Sequence, residues 1–190
     1  MKWYIGLLAT VLAVPALAAN QADIEKLVAI KSKPAASVDL SNADLRHYSF
    51  SESKIDLQHA NLSHSNLSGM NLAKMNLRGA DLSNADLSNA HLDGADLSGA
   101  ILDHANLNGA QLSRADLSGA SLTHAFLTSA NLQRADLGSA NLTCANLNQA
   151  DLTRSNFANT VISGVAMVNT ITTDIHGYHT VVDAQVNCAG

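Results

Sequence analysis

The sequence predicts an all-β solenoid wound in square coils of twenty residues, and three observations carry that class. Every fifth residue from Leu57 to Leu152 is leucine, twenty in succession. Fifteen consecutive leucines have alanine two positions earlier, from Ala80 to Ala150, so the unit reads Ala-(Asp/Asn)-Leu-x-x with few exceptions. Proline is confined to Pro15 and Pro34, outside the ladder, where its missing N–H interrupts no sheet hydrogen bond.

A period of five suits neither regular element alone. On an α-helix each repeat would advance about 140°, spreading the leucines over every face. In an unbroken strand an odd period throws successive leucines onto opposite faces. The pattern works if each pentapeptide is one short extended piece followed by a corner. Alanine and leucine, two apart, then both point inward before the chain turns. Four corners of about 90° close a coil, and coils stack about 4.8 Å apart through strand-like hydrogen bonds. The two positions after each leucine are mostly Ser, Thr, Asn, Gly or Gln, residues that suit turns.

These residues strongly resemble the pentapeptide repeat family, over Asp39 to about Thr170. The resemblance implies a right-handed quadrilateral β-helix. It transfers fold far better than activity, because function lives in sites grafted on a scaffold. Many exported members carry Cys-x-x-Cys before the first Asp-Leu. Lys33-Pro34-Ala35-Ala36 lacks those cysteines, so no disulfide or metal knuckle carries over there.

Taken in chain order, residues 1–18 read as a signal peptide. Lys2 gives the positive end, Trp3 to Val14 is an apolar run shorter than the roughly 20 residues of a membrane span, and Pro15-Ala16-Leu17-Ala18 offers a cleavage site. No cysteine follows that site, so no lipid anchor is expected, and the mature chain is expected in the periplasm or an equivalent lumen. Residues 19–37 form a lead-in, in which Ile24, Leu27 and Val28 fall at helical spacing ahead of Pro34. This predicts a short N-terminal capping helix. Residues 38–170 are the solenoid and 171–190 a C-terminal capping tail.

The ladder carries two irregularities near its start. Leu40, Leu45, Phe50 and Ile55 keep the period, but Leu57 follows Ile55 by only two residues, predicting a register slip between Lys54 and Asp56. Met70 and Met75 replace alanine, predicting a slightly swollen first coil.

Residues twenty apart stand above one another, so the walls are legible as columns. Arg114, Arg134 and Arg154 form one, and Asp96, Asp116 and Asp136 a neighbouring one that is expected to neutralise it. His64, Asn84, His104, His124 and Cys144 form another. Its His, His and Cys raise the alternative of a metal-binding protein. Three ligands in a line span about 10 Å, however, too far to converge tetrahedrally. No metal or other cofactor is therefore expected.

Charge excludes some partners. The chain carries a net charge of −5, against the basic stripe that nucleic-acid binding demands. The resemblance also brings the alternative of a nucleic-acid-mimicking inhibitor that occupies a topoisomerase. With one DNA charge per about 1.7 Å, a rod of about 32 Å would need about twenty uncompensated acidic groups. The repeat region has twelve acidic and seven basic residues.

After Leu152 the pattern decays. Phe157, Ile162 and Met167 take the leucine place, while Ala158, Val161, Ala166 and Val168 turn outward positions apolar. A patch of this kind is covered or shared. The tail is expected to fold back along the wall of Ile101, Cys144 and Val161, bringing Cys188 to Cys144 as an intramolecular disulfide. Free thiols and an intermolecular link remain the other readings, as does a homodimer through the C-terminal end.

No nucleophile, acid and base converge in this pattern, so a non-enzymatic exported module is expected, presenting its walls to an unknown protein partner. Its candidate surface comprises Arg114, Arg134, Arg154, Asp96, Asp116, Asp136, Val161 and Val168.

Overall fold

The computed structural model describes residues 38–46, 48, 50, 56–177 and 188. The expected signal peptide, the lead-in helix and most of the tail lie outside the described residues. Within them the chain is a four-walled parallel coil. Every bridge from Asn61 onward joins residues twenty apart, such as Asn61 to Asp81 and Asp81 to Ile101. The first wall stacks Leu57, Leu77, Leu97, Leu117, Leu137 and Phe157. The second stacks Leu62, Leu82, Leu102, Leu122, Leu142 and Ile162. The third and fourth begin at Leu67 and Leu72.

Why this sequence holds that shape follows from its five backbone amides per repeat, each of which needs an acceptor. Four of them find carbonyls. Ala80 N–H donates to Leu77 O at 3.0 Å, closing a four-residue turn. Asp81 N–H reaches Ala60 O on the rung below, at 2.9 Å. Leu82 and Asn84 donate to Ile101 O and Asp103 O on the rung above, at 2.7 and 2.9 Å. The fifth amide, at Ser83, has no carbonyl within reach and donates to the Asp81 side chain at 3.0 Å. That last bond explains the Asp/Asn preference before each leucine. Only an acceptor on a short stem folds back two residues in this way.

The corner itself requires one residue at positive φ, as in a type II turn. Gly99 adopts φ 64° and Asn84 φ 57°, the types that tolerate it best. Arg114, Arg134 and Cys144 adopt it too, at 58°, 60° and 59°. Inside, the leucines and alanines are fully buried, and Leu→Ala at any central rung should cost about 2–5 kcal/mol. Serine substitutes for alanine without stranding its hydroxyl, since Ser65 and Ser155 donate to Leu62 O and Leu152 O at 2.6 and 2.7 Å.

Both ends modify the coil. Asp39 bridges Asn61 and Asp44 bridges Asn66, each twenty-two residues apart, so the slip is an insertion of two residues before Leu57. Ile55 itself lies outside the described residues. The first coil is not stretched along the axis: Met70 O and Met75 O accept from His91 and Asp96 at 2.8 and 3.0 Å, as elsewhere in the coil. Unbranched methionine adapts to its gap, with Met70 buried and Met75 packed half-exposed against the core.

The expected solenoid boundary at residue 170 needs correction, because the coil continues. Asp151 bridges Ile171 and Asn156 bridges His176. Gly177 then stands where the first wall calls for a large apolar residue above Phe157. A Cβ there would lie 2.7 Å from Ala158 N, so that wall cannot continue its column with a side chain.

Candidate functional site

The corner that follows the fourth wall carries a file of cations: Lys74, Arg114, Arg134 and Arg154, interrupted by Gly94. The turn places all four side chains outward at positive φ, one rung apart or two across the glycine. Around the gap lies a shallow groove of about 340 Å³, lined by Lys74, Asp93, Gly94, Arg114, Gln133 and Arg134.

The expected neutralisation by the aspartate column does not take the form of ion pairs. Asp96, Asp116 and Asp136 are only two residues from the cationic corner in sequence, but their carboxylates turn to the opposite end of the first wall. Asp96 accepts from Ser98 N–H and Ser98 Oγ at 3.0 and 2.6 Å. Asp116 accepts from Ser118 N–H at 2.9 Å. Asp136 accepts from Gly138 N–H at 2.9 Å and Asn156 Nδ2 at 2.8 Å. The Ser98 hydroxyl holds the Asp96 carboxyl below its ordinary value, with burial opposing and the Ser98 amide and Arg78 assisting. On the fourth wall Asp151 is likewise occupied, by Thr153 and by Gln133 Nε2 at 2.6 Å.

Among the described residues, Arg114 and Arg134 therefore make no ion pair or side-chain hydrogen bond. Arg154 differs, since its Nε meets Asp174 Oδ2 at 3.5 Å, and Asp174 is the next member of the same file.

The second wall holds the histidine column. His104 and His124 stack with ring centroids 4.9 Å apart and planes 3° from parallel. Above them Cys144 is bonded to Cys188, with Cα atoms 5.4 Å apart. Gly164 follows in the column, and lacking a side chain it leaves Cys188 Sγ 3.6 Å from its carbonyl oxygen. A disulfide sulfur is no thiolate, so Cys144 drops out of the metal set that the sequence suggested. Cys188 alone of the distal tail is described, and it lies on the wall to which the tail was expected to return.

Apolar side chains are exposed on other walls. Phe126 and Val168 stand on the third, 47% and 63% exposed, and Ile171 stands on the fourth. Val161, on the second, is half-buried.

At three of the positions that lack the usual Asp or Asn, the fifth amide borrows an acceptor from the rung below. Ser121 cannot serve Thr123, whose N–H donates instead to Asp103 Oδ1 at 3.0 Å. Phe126 cannot serve Thr128, which turns to Asn108 Oδ1 at 2.9 Å. Ala166 cannot serve Val168, which turns to Asn148 Oδ1 at 2.7 Å. Sequence reasoning missed these pairs. Their signal was an Asp or Asn just after a leucine, twenty residues before a residue whose own rung lacks the usual acceptor.

With this geometry in place, the comparisons with known proteins place the chain by class. The family described as Pentapeptide repeats matches residues 55–94, 90–128 and 130–167, more than half of the chain. The protein belongs to that family, and its coil is a right-handed quadrilateral β-helix. Among solved structures, it is similar to the pentapeptide repeat protein Rfr23 from the cyanobacterium Cyanothece 51142. That match has 34% identity and a TM-score of 0.43, over 62% of this chain and 88% of the other. A trypsin-treated form of QnrB1, a plasmid-mediated fluoroquinolone resistance protein, shares the fold at TM-score 0.62. Its identity is 18%, over 77% of this chain and 79% of that one. No curated protein matches the chain.

Proposed function

We propose that this protein is a non-enzymatic, exported structural module whose rigid solenoid presents one cationic corner to another macromolecule. The observation that carries this reading is the state of Arg114 and Arg134. Their guanidinium groups are unpaired among the described residues, while the nearest carboxylate column is taken up by backbone amides. A rigid backbone holds the file in register, so a partner meets it without first ordering the protein.

The alternative of nucleic-acid mimicry has less support. Asp81, Asp86, Asp96, Asp116, Asp136 and Asp151 each accept an amide of their own turn, and a capped carboxylate is a poor stand-in for a solvated phosphate. Affinity capture from a periplasmic fraction tests the proposal, using the wild type and an Arg114→Asn/Arg134→Asn variant side by side. Retained material should be lost with the variant. An identical profile from both proteins would remove the cationic corner from the interaction. Export is tested separately by sequencing the mature N-terminus, expected at Ala19.

A further inference from the structure

We propose that the first wall is an interface between two copies of this chain, laid wall to wall with their solenoid axes parallel. This deepens, and rests on, the reading of the cationic corner as an interaction surface, and it names a second copy as the partner.

The first wall is oppositely charged at its two edges. Arg114 and Arg134 stand at the corner where the chain enters it. Asp116 and Asp136 follow two residues later and turn toward the corner where the chain leaves it, held by the amides of Ser118 and Gly138. Asp96, Asp116 and Asp136 make all of these bonds through Oδ1 alone. Each therefore keeps its charge and a second oxygen for a donor from outside.

The two edges also differ in relief. At the cationic edge Arg114 and Arg134 project as long, exposed side chains. The acidic edge is a shallow hollow of about 410 Å³, lined by Ser98, Gly99, Asp116 and Ser118 and bounded below by His59 and Arg78. A Cβ on Gly99 or Gly119 would meet nothing within 4 Å. Small residues thus leave room beside Asp116 for a long side chain from another molecule.

A two-fold axis parallel to the solenoid axis lays wall on wall and exchanges the edges. Each cationic corner then faces the acidic hollow of the other copy, so every pairing is made twice. Rungs of the two copies stand at the same height, and both files share one spacing of about 4.8 Å without adjustment. The cations can span a rung: Arg154 Nε meets Asp174 Oδ2 at 3.5 Å, and the Lys74 stem leans toward Gly94. Asp116 and Asp136 of the second copy fall within that reach of Arg114 and Arg134. Arg114 and Arg154 fill the rungs on either side of Arg134, so a carboxylate reaches it from the front, the direction this approach provides. A two-fold running across the wall would set cation on cation.

Sedimentation of the mature full-length chain at several concentrations, in 0.1 M and 1 M salt, tests the interface. Two variants accompany it, Arg114→Asn/Arg134→Asn and Asp116→Asn/Asp136→Asn. Both should fold, because Asn84 and Asn89 adopt the corner conformation while Asn141 and Asn146 cap their turns as Asp does elsewhere. Circular dichroism and a melting curve check this. The wild type should dimerise reversibly, and at least about tenfold more weakly in 1 M salt, where screening sets in beyond about 3 Å. Each variant should also lose at least about tenfold. An equimolar mixture of the two variants should associate more tightly than either alone. One edge of the mixed dimer keeps arginines from one copy and aspartates from the other, whereas each variant by itself keeps no complete pair.

A wild type that stays monomeric at every concentration would overturn the proposal. So would a dimer indifferent to both variants, as pairing through the C-terminal end would be, or a mixture no tighter than its components. The capture experiment then separates the two readings. Loss of captured material with the arginine variant would leave the cationic corner as a surface for a different partner. Unchanged capture would remove both.

Discussion

Asp103 holds the amide of Thr123, one rung above it, at 3.0 Å, and the same carboxylate accepts the Ser121 hydroxyl at 2.6 Å. Ser121 stands where Asp or Asn would normally cap that amide, so the two rungs share a single acceptor.

The sharing predicts a compensating pair. Asp103→Ala should destabilise by about 1 kcal/mol, the lower end for a lost bond to a partly exposed amide. Ser121→Asn restores the local cap and should recover most of that loss in the double variant. A urea-denaturation cycle of the four proteins checks this. Equal losses with and without Ser121→Asn would refute the shared acceptor.

Acid should expose the same bond. Burial, the largest influence on Asp103, pushes its carboxyl up, but donors at Ser121 and Thr123 together with His104 bring it below its ordinary value. A group lowered on folding contributes stability above its unfolded value near 3.9, and loses it as pH falls through the folded value. Asp96 and Asp151 shift in the same direction. Asp103→Asn keeps an acceptor, as Asn108 and Asn148 do, and should flatten part of the decline below about pH 4. Melting temperatures from pH 2 to 6 for both proteins provide the readout.

Reduction should loosen the C-terminal coils. The Cys144–Cys188 bond closes a loop with a sequence separation of 44. By chain entropy such a loop stabilises by about 4 kcal/mol. A lower melting temperature with reductant, absent in Cys144→Ala/Cys188→Ala, is expected. Non-reducing peptide mapping that recovers both thiols free would contradict the bond.

Glycine positions should differ sharply. Nothing lies within 4 Å of a Cβ placed on Gly119, so Gly119→Ala should lose only the positive-φ preference, about 1 kcal/mol. At Gly177 the Cβ would meet Ala158 backbone at 2.7 Å. Gly177→Ala should therefore cost more and raise hydrogen exchange at Phe157, whose N–H donates to His176 O at 2.8 Å. Equal melting shifts for the two variants would show that the Gly177 contact is relieved at no cost.

The interior was legible in the sequence because burial imposes size at fixed intervals, and Leu57 to Leu152 state that interval without a break. The slip before Leu57 was legible for the same reason. The Arg–Asp pairing was misread at Asp116 and Asp136. Proximity along the chain says nothing about which way a short carboxylate turns, and the amide two residues ahead wins it. The end of the coil was placed too early at residue 170, since Ile171 and His176 bridge through backbone atoms that no side-chain pattern reports.

Borrowed acceptors also decide where this rod can be lengthened or shortened. Removing residues 109–128 would delete the borrowing amides of Thr123 and Thr128 together, and would set Asp103 beneath Thr143 and Asn108 beneath Asn148, which have their own caps in Asn141 and Asn146. Removing residues 84–103 would shorten the rod by as much, yet it would leave the Thr123 amide above Ser83 with no carboxylate to accept it. The coils are alike in outline but not interchangeable: the acceptors at 103, 108 and 148 must stay wherever the amides at 123, 128 and 168 do.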